Sequence, residues 1–79
     1  MMSPYEIIEC YEALNKFYKT LDSPLHRVFF LSLMEDDLRV RNRMLAMWYV
    51  ALTGRELTRY TRKKRLSKIR RKFREFIHS

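Results

Sequence analysis

The sequence predicts a small all-α bundle of four to five helices. Its 79 residues include one glycine and two prolines, which leaves too few turn-forming residues for a sheet of many strands. Hydrophobic residues make up 47% of the chain and aromatic residues 14%, which is more than a disordered chain contains. Several segments also begin with helix-start patterns. We therefore expect a single helical domain over residues 1–79, with a core that is modest for its size.

Four short patterns mark helix starts. "SPYE" at residues 3–6 combines a capping serine, a proline at the first helical position and a glutamate three residues after the serine. "SPLH" at residues 23–26 repeats the serine and the proline. Asp36 or Asp37 can cap a further helix, because a carboxylate accepts hydrogen bonds from free backbone N–H groups. "TGRE" at residues 53–56 has capping-box spacing and predicts another start.

The first predicted helix, residues 4–21, carries one apolar stripe. Its members alternate spacings of four and three residues and are Ile7, Tyr11, Leu14, Tyr18 and Leu21. The stripe is either simple core or, because the spacing is heptad-like, a dimer seam. Four of its residues are therefore candidates for a partner or dimer surface: Ile7, Tyr11, Leu14 and Tyr18. Off the stripe, Ile8, Cys10 and Phe17 would form a second apolar surface if they are exposed.

The next two helices are predicted at residues 24–34 and 38–52. The earlier one would bury Leu25, Val28, Phe29 and Leu33. The later one is apolar nearly all round from Met44, a pattern typical of a central helix packed on several sides. Trp48 and Tyr49 lie in that apolar run, and we expect both in the core.

Charge divides the chain into two halves. Residues 1–37 hold seven acids and three bases, whereas residues 38–79 hold fourteen bases and two acids, so the halves carry net charges of −4 and +12. We interpret the acidic half as a scaffold with a dimer or partner surface and the basic half as the ligand-binding part. Such an asymmetry predicts a negatively charged partner for the basic half.

The basic stretch from residue 54 to residue 78 is predicted to break into two helices. In one straight helix, Leu57, Tyr60 and Thr61 would cluster on one side. A second apolar cluster, Leu66, Ile69, Phe73 and Phe76, would lie roughly 150° away. One helix cannot present both sides to one compact core. We therefore expect a break between Thr61 and Leu66, with helices at residues 54–61 and 66–77.

This layout is similar to a helix-turn-helix module, whose second helix reads the DNA major groove. "GRELTRYT" would be the supporting helix and "LSKIRRKFREF" the reading helix. The candidate nucleic-acid-binding residues are Arg59, Arg62, Lys63, Lys64, Arg65, Lys68, Arg70, Arg71 and Arg74. Of these, Arg70, Arg71 and Arg74 are candidates for deeper contacts, because the arginine fork fits guanine edges and phosphates. The alternative is sequence-tolerant binding of DNA or RNA by a basic helix.

The sequence thus predicts a small cytoplasmic, basic regulator that forms a homodimer and binds nucleic acid, with DNA favoured over RNA as the ligand. A second hypothesis is a protein–protein interaction module or inhibitor that docks on an acidic partner surface. The third, less favoured, is binding to an anionic membrane surface through an inserted face formed by Leu66, Ile69, Phe73, Phe76 and Ile77. The longest apolar run, residues 44–52, is too short to span a bilayer, which needs about 20 residues.

Catalysis is not expected. Cys10, His26 and His78 lack metal-ligand spacing, and we expect no metal, cofactor or small-molecule substrate. The adjacent acids at residues 35–37 point in different directions on a helix, which favours a capping role. A single cysteine excludes an intrachain disulfide and fits a reducing compartment.

Overall fold

The computed structural model describes residues 3–78, which form four α-helices and contain no strand. The helices are α1 (Pro4–Thr20), α2 (Pro24–Ser32), α3 (Leu38–Thr53) and α4 (Arg59–Ile77). The predicted small all-α bundle is therefore confirmed. The first three predicted helices agree with α1, α2 and α3 to within two residues at both ends. The C-terminal region differs from its prediction.

Three of the predicted caps are present. Ser3 Oγ accepts a hydrogen bond from the Glu6 backbone N–H at 3.2 Å, and Ser23 Oγ accepts one from the Leu25 N–H, also at 3.2 Å. Asp37, one of the two predicted capping acids, accepts two backbone hydrogen bonds at the start of α3. These contacts satisfy donors that a helix start leaves free, and they fix where each helix begins.

The predicted helix start at residues 53–56 is wrong. Thr53 is the last residue of α3, and Gly54 ends that helix in the left-handed conformation with φ of 73°. Glycine adopts this conformation without a Cβ clash and commonly ends helices for that reason. Thr58 provides the cap for the following helix, because its Oγ1 accepts the Thr61 backbone N–H at 3.1 Å. The loop between α3 and α4 is therefore residues 54–58.

The predicted break between Thr61 and Leu66 is also wrong, and with it the helix-turn-helix-like pair. Helix α4 is continuous for 19 residues. Tyr60 does not face inward as the prediction requires, because its side chain is 74% exposed. Leu57 precedes the helix and packs on the core from the loop. Without Tyr60, α4 has one inward face, so a single straight helix suffices.

An aromatic cluster joins α1, α2 and α4. The Phe17 ring lies 4.9 Å from the Phe30 ring, 5.2 Å from the Phe73 ring and 5.4 Å from the Phe76 ring, measured between centroids. The Phe17–Phe30 and Phe17–Phe73 pairs are edge-to-face, a geometry that aromatic quadrupoles favour. Phe17 is therefore core, which corrects its placement on a possible outer surface. Ile8 and Cys10 are exposed.

Helix α2 occupies the centre of the bundle and packs against both α3 and α4. Its Phe29 and Phe30 side chains are buried, and the remaining residues that we expected to be buried, Leu25, Val28 and Leu33, pack on the core. The prediction that α3 is the central helix is wrong. Tyr49 is buried as expected, whereas Trp48 is 50% exposed. Helix α3 therefore leaves part of its apolar surface in contact with solvent.

Candidate nucleic-acid interface

The nine candidate nucleic-acid-binding residues belong to one continuous helix. Seven are exposed on α4: Arg59, Lys63, Lys64, Lys68, Arg70, Arg71 and Arg74. The other two, Arg62 and Arg65, are half-buried. The helix holds this charge in place because Leu66 and Ile69 are buried on its opposite side. We call the outer side of α4 with these seven exposed residues the basic face.

Helical spacing places five residues of the basic face on a crest and on one flank. Lys64 and Arg71, which are seven residues apart, lie on the crest, opposite the buried stripe. Lys63, Arg70 and Arg74 share a direction on one flank. Charge therefore extends over much of the exposed circumference of the helix.

Two adjoining recesses lie on the basic face. One, of about 360 Å³, is lined by Lys64, Ser67, Lys68 and Arg71. The other, of about 320 Å³, shares Lys64 and Lys68 with the first and is also lined by Tyr60, Thr61 and Arg65. Ammonium, guanidinium and hydroxyl groups together supply charged and neutral donors of the kind that hold a phosphate group.

Arg65 has a structural contact that the sequence did not reveal. Its guanidinium carbon lies 6.0 Å from the Phe29 ring centroid and 5.9 Å from the Tyr49 ring centroid. Cations at this distance are attracted to aromatic rings. Arg65 therefore connects α4 to both α2 and α3, in addition to lining one recess of the basic face.

The positive charges of α4 affect the pKa of His26 on α2. Burial lowers the pKa of His26 below its ordinary value of 6.5, and the positive charges of Lys72, Arg65 and Lys68 lower it further. Lys72 is a base that our candidate set omitted. Lys72 lies three residues after Ile69, which places it beside the buried stripe. This spacing could have identified it from the sequence. The positive potential of α4 therefore extends inward to α2.

The candidate partner residues lie on a different part of the molecule. Ile7 and Tyr11 are 43% and 69% exposed, whereas Leu14 and Tyr18 are half-buried and pack on the core. All four line an apolar groove to which α4 contributes no residue. The stripe of α1 is thus partly core and partly surface.

The structure also bears on the remaining expectations. Within residues 3–78, no three His, Cys, Asp or Glu side chains come together as a metal site. The helices formed by these residues include none with both the length and the apolar character needed to cross a bilayer. Four residues of the proposed membrane-inserted face, Leu66, Ile69, Phe73 and Phe76, are in the core, so this fold does not present them to lipid.

A search for similar proteins found no match to this chain among protein-family models, curated proteins or solved structures.

Proposed function

We propose that this protein is a small nucleic-acid-binding regulator that holds duplex DNA, in preference to RNA, against the basic face of α4. The observation that carries the proposal is that seven exposed arginine and lysine side chains lie on one folded helix. From Leu57 to the end of the chain, Glu75 is the sole acid. Mutual repulsion among these bases costs stability, and a polyanion would relieve it.

The dimensions of α4 suit the major groove. An α-helix with side chains is about 10–12 Å wide, and the major groove of B-DNA is about 12 Å wide. The crest, with Lys64 and Arg71, would enter the groove. Lys63, Arg70 and Arg74 on the flank would contact phosphates at its edge. A narrow, deep RNA major groove does not admit side chains in this way, which is why we favour DNA.

The buried side of α4 limits how it can bind. Leu66 and Ile69 hold the helix on the bundle, so the ligand approaches only the outer half. This geometry permits phosphate contacts at many positions and base contacts at few. We therefore expect most of the affinity to be independent of DNA sequence.

An acidic protein surface is the second candidate ligand for the same basic face. The helix presents lysine and arginine donors that pair with carboxylates as well as with phosphates. The salt dependence of binding distinguishes the two ligands. A nucleic acid has a high linear charge density and condensed counterions, which are released when it binds.

The test is fluorescence anisotropy with a labelled duplex DNA, at several salt concentrations, with RNA and polyglutamate as competitors. If six to eight bases contact phosphates, the slope of log affinity against log salt should be about −5 to −7. Unlabelled duplex should compete best. Affinity that does not change with salt would overturn the proposal. Equal competition by polyglutamate would instead assign the basic face to acidic proteins.

A further inference from the structure

An apolar groove runs across α1, α2 and α3 in three sections. The section at the α3 end has a volume of about 370 Å³ and is lined in part by Trp48 and Met44. The middle section measures about 250 Å³, and the section at the start of α1 measures about 310 Å³. The sections adjoin: Tyr18 and Leu31 line the first two, and Tyr11, Leu14 and Met34 line the last two.

The lining of the groove is almost free of charge. Arg27 is the charged residue among those that line its three sections. The Arg27 guanidinium stacks 4.9 Å from the Tyr18 ring centroid, and its Nε–H donates to the Leu21 carbonyl oxygen at 2.8 Å. Its hydrogen bonding is thus partly satisfied within the fold. Contiguous apolar surface of this kind marks an interaction site.

The chain leaves more surface in water than a compact monomer does. Its accessible surface is 6464 Å², whereas a monomer of 9.8 kDa typically exposes about 5,200 Å². The difference, about 1,300 Å², exceeds the roughly 800 Å² that each partner contributes to a standard interface. The radius of gyration, 13.6 Å, also exceeds the value of about 11.6 Å expected for this length. The chain is thus elongated and exposes more area than one partner of a standard dimer buries.

We propose that a second copy of this chain occupies the groove, with the α1 helices of the two copies packed side by side about a two-fold axis. Helix α1 supplies both a wall of the groove and the insert. Its Ile7, Tyr11 and Leu14 have the four-and-three spacing by which paired helices interdigitate. A two-fold interface requires one patch to be complementary to itself, and a stripe beside an apolar groove offers both halves of such a contact.

The glutamates Glu9 and Glu12 of α1 lie outside the proposed contact between the two α1 helices. Glu9 lies about 160° around the helix from both Ile7 and Tyr11, and Glu12 lies about 160° from Leu14. Both glutamates are exposed and would remain in water. No residue of α4 lines the groove, so the proposed contact does not use the basic face. The dimer therefore does not depend on nucleic-acid binding, and either proposal can fail alone.

The test compares two double variants by sedimentation equilibrium, without nucleic acid. Ile7→Glu with Tyr11→Glu places two carboxylates in the groove. The matched control, Ile8→Glu with Tyr5→Glu, makes the same chemical changes on the same helix at residues that are 57% and 78% exposed and outside the groove. The wild type should sediment at twice the chain mass of 9.8 kDa. The groove variant should self-associate at least about 100-fold more weakly, because buried carboxylates would lack partners, and the control should resemble the wild type.

Trp48 provides a second measurement in the wild-type protein. It is the chain's sole tryptophan, it is half-exposed, and it lines the groove. Its emission should shift to longer wavelength on dilution as the dimer separates. A wild-type protein that sediments as a monomer at every micromolar concentration would overturn the proposal and leave the groove to a different protein. Equal weakening by the two double variants, with helicity retained, would also overturn it.

Discussion

The guanidinium of Arg65 lies 5.9 Å from the centre of the Tyr49 ring, and this contact joins α4 to α3 across the bundle. The sequence indicated that Arg65 was a phosphate ligand, whereas in the fold its charge also rests against the core. Such a residue affects stability as well as binding. The neighbouring bases on the exposed side of α4 have no such ring contact with the core, so removing one of them should cost no packing stability.

Arg65→Ala should lower the free energy of unfolding by about 1–2 kcal/mol. The loss combines two cation–π contacts with the packing of the arginine stem. Chemical denaturation of the isolated protein measures it. Lys68→Ala is the matched control, since it removes one positive charge from an exposed position on the same helix. Equal stability of the two variants would show that the ring contacts contribute nothing.

Thr58→Ala should destabilise the protein by about 1 kcal/mol, because it removes the oxygen that accepts the Thr61 N–H at the start of α4. Glu56 is the acid of the capping-box pattern suggested by the sequence, and it lies in the loop. Glu56→Gln should therefore have little effect. Thermal unfolding followed by circular dichroism compares them. A larger loss for Glu56→Gln would place the helix start where the sequence pattern suggested.

Replacing Arg70, Arg71 and Arg74 together with alanine should abolish DNA binding and preserve helicity. All three side chains are exposed, so the core is unchanged. Anisotropy measures the binding and circular dichroism the helicity. The control replaces the same number of exposed bases elsewhere, Lys16, Lys19 and Arg39, and so matches the change in net charge. If both triple variants lose affinity equally, binding follows total charge and does not depend on the basic face of α4.

The depressed pKa of His26 predicts that stability falls as the solution is made acidic. Burial, and then the charges of Lys72, Arg65 and Lys68, make the folded protein bind this proton less readily than the unfolded chain does. The stabilisation is fully present above about pH 6.5 and is lost as the pH falls from there towards the folded pKa, where it levels off. Unfolding at several pH values measures this, and His26→Gln should flatten that part of the profile.

A bound polyanion should raise the pKa of His26, because its phosphates would offset the charges of Lys68 and Lys72. The ring proton signals of His26 in an NMR pH titration, with and without duplex DNA, report the shift. His26→Gln assigns the signals. A His26 pKa that DNA leaves unchanged, under conditions where DNA is bound, would place the ligand away from this side of α4.

Local sequence patterns were sufficient for most helix starts. Ser3, Ser23 and Asp37 act over two or three residues, and such contacts do not depend on the rest of the fold. The C-terminal helix differs from the prediction because the aromatic residue Tyr60 is exposed. Tyr60 instead lies in water, with the Lys64 ammonium 5.9 Å from its ring centroid. Amphipathic side chains of this kind do not reveal their burial through spacing alone.

The basic face could be predicted from composition, because charged side chains in such number must lie at the surface. Which of the nine candidate bases are half-buried, namely Arg62 and Arg65, could not be predicted, since that depends on where α2 and α3 pack. The same applies to α3: its apolar run suggested a central helix, but the central place belongs to the shorter α2. Trp48 was consequently left at the surface, where it lines the groove.

The aromatic cluster also bears on the entropy cost of the proposed binding. Phe73 and Phe76 pack the C-terminal part of α4 against Phe17. Arg65 contacts α2 and α3 from the N-terminal part of α4. The helix cannot turn about its own axis without breaking these contacts. A loose cationic tail must lose conformational freedom whenever it binds, at about 1–2 kcal/mol for each backbone residue that becomes ordered. Here folding has already ordered the backbone of α4, so a ligand of the proposed basic face would not have to supply that cost.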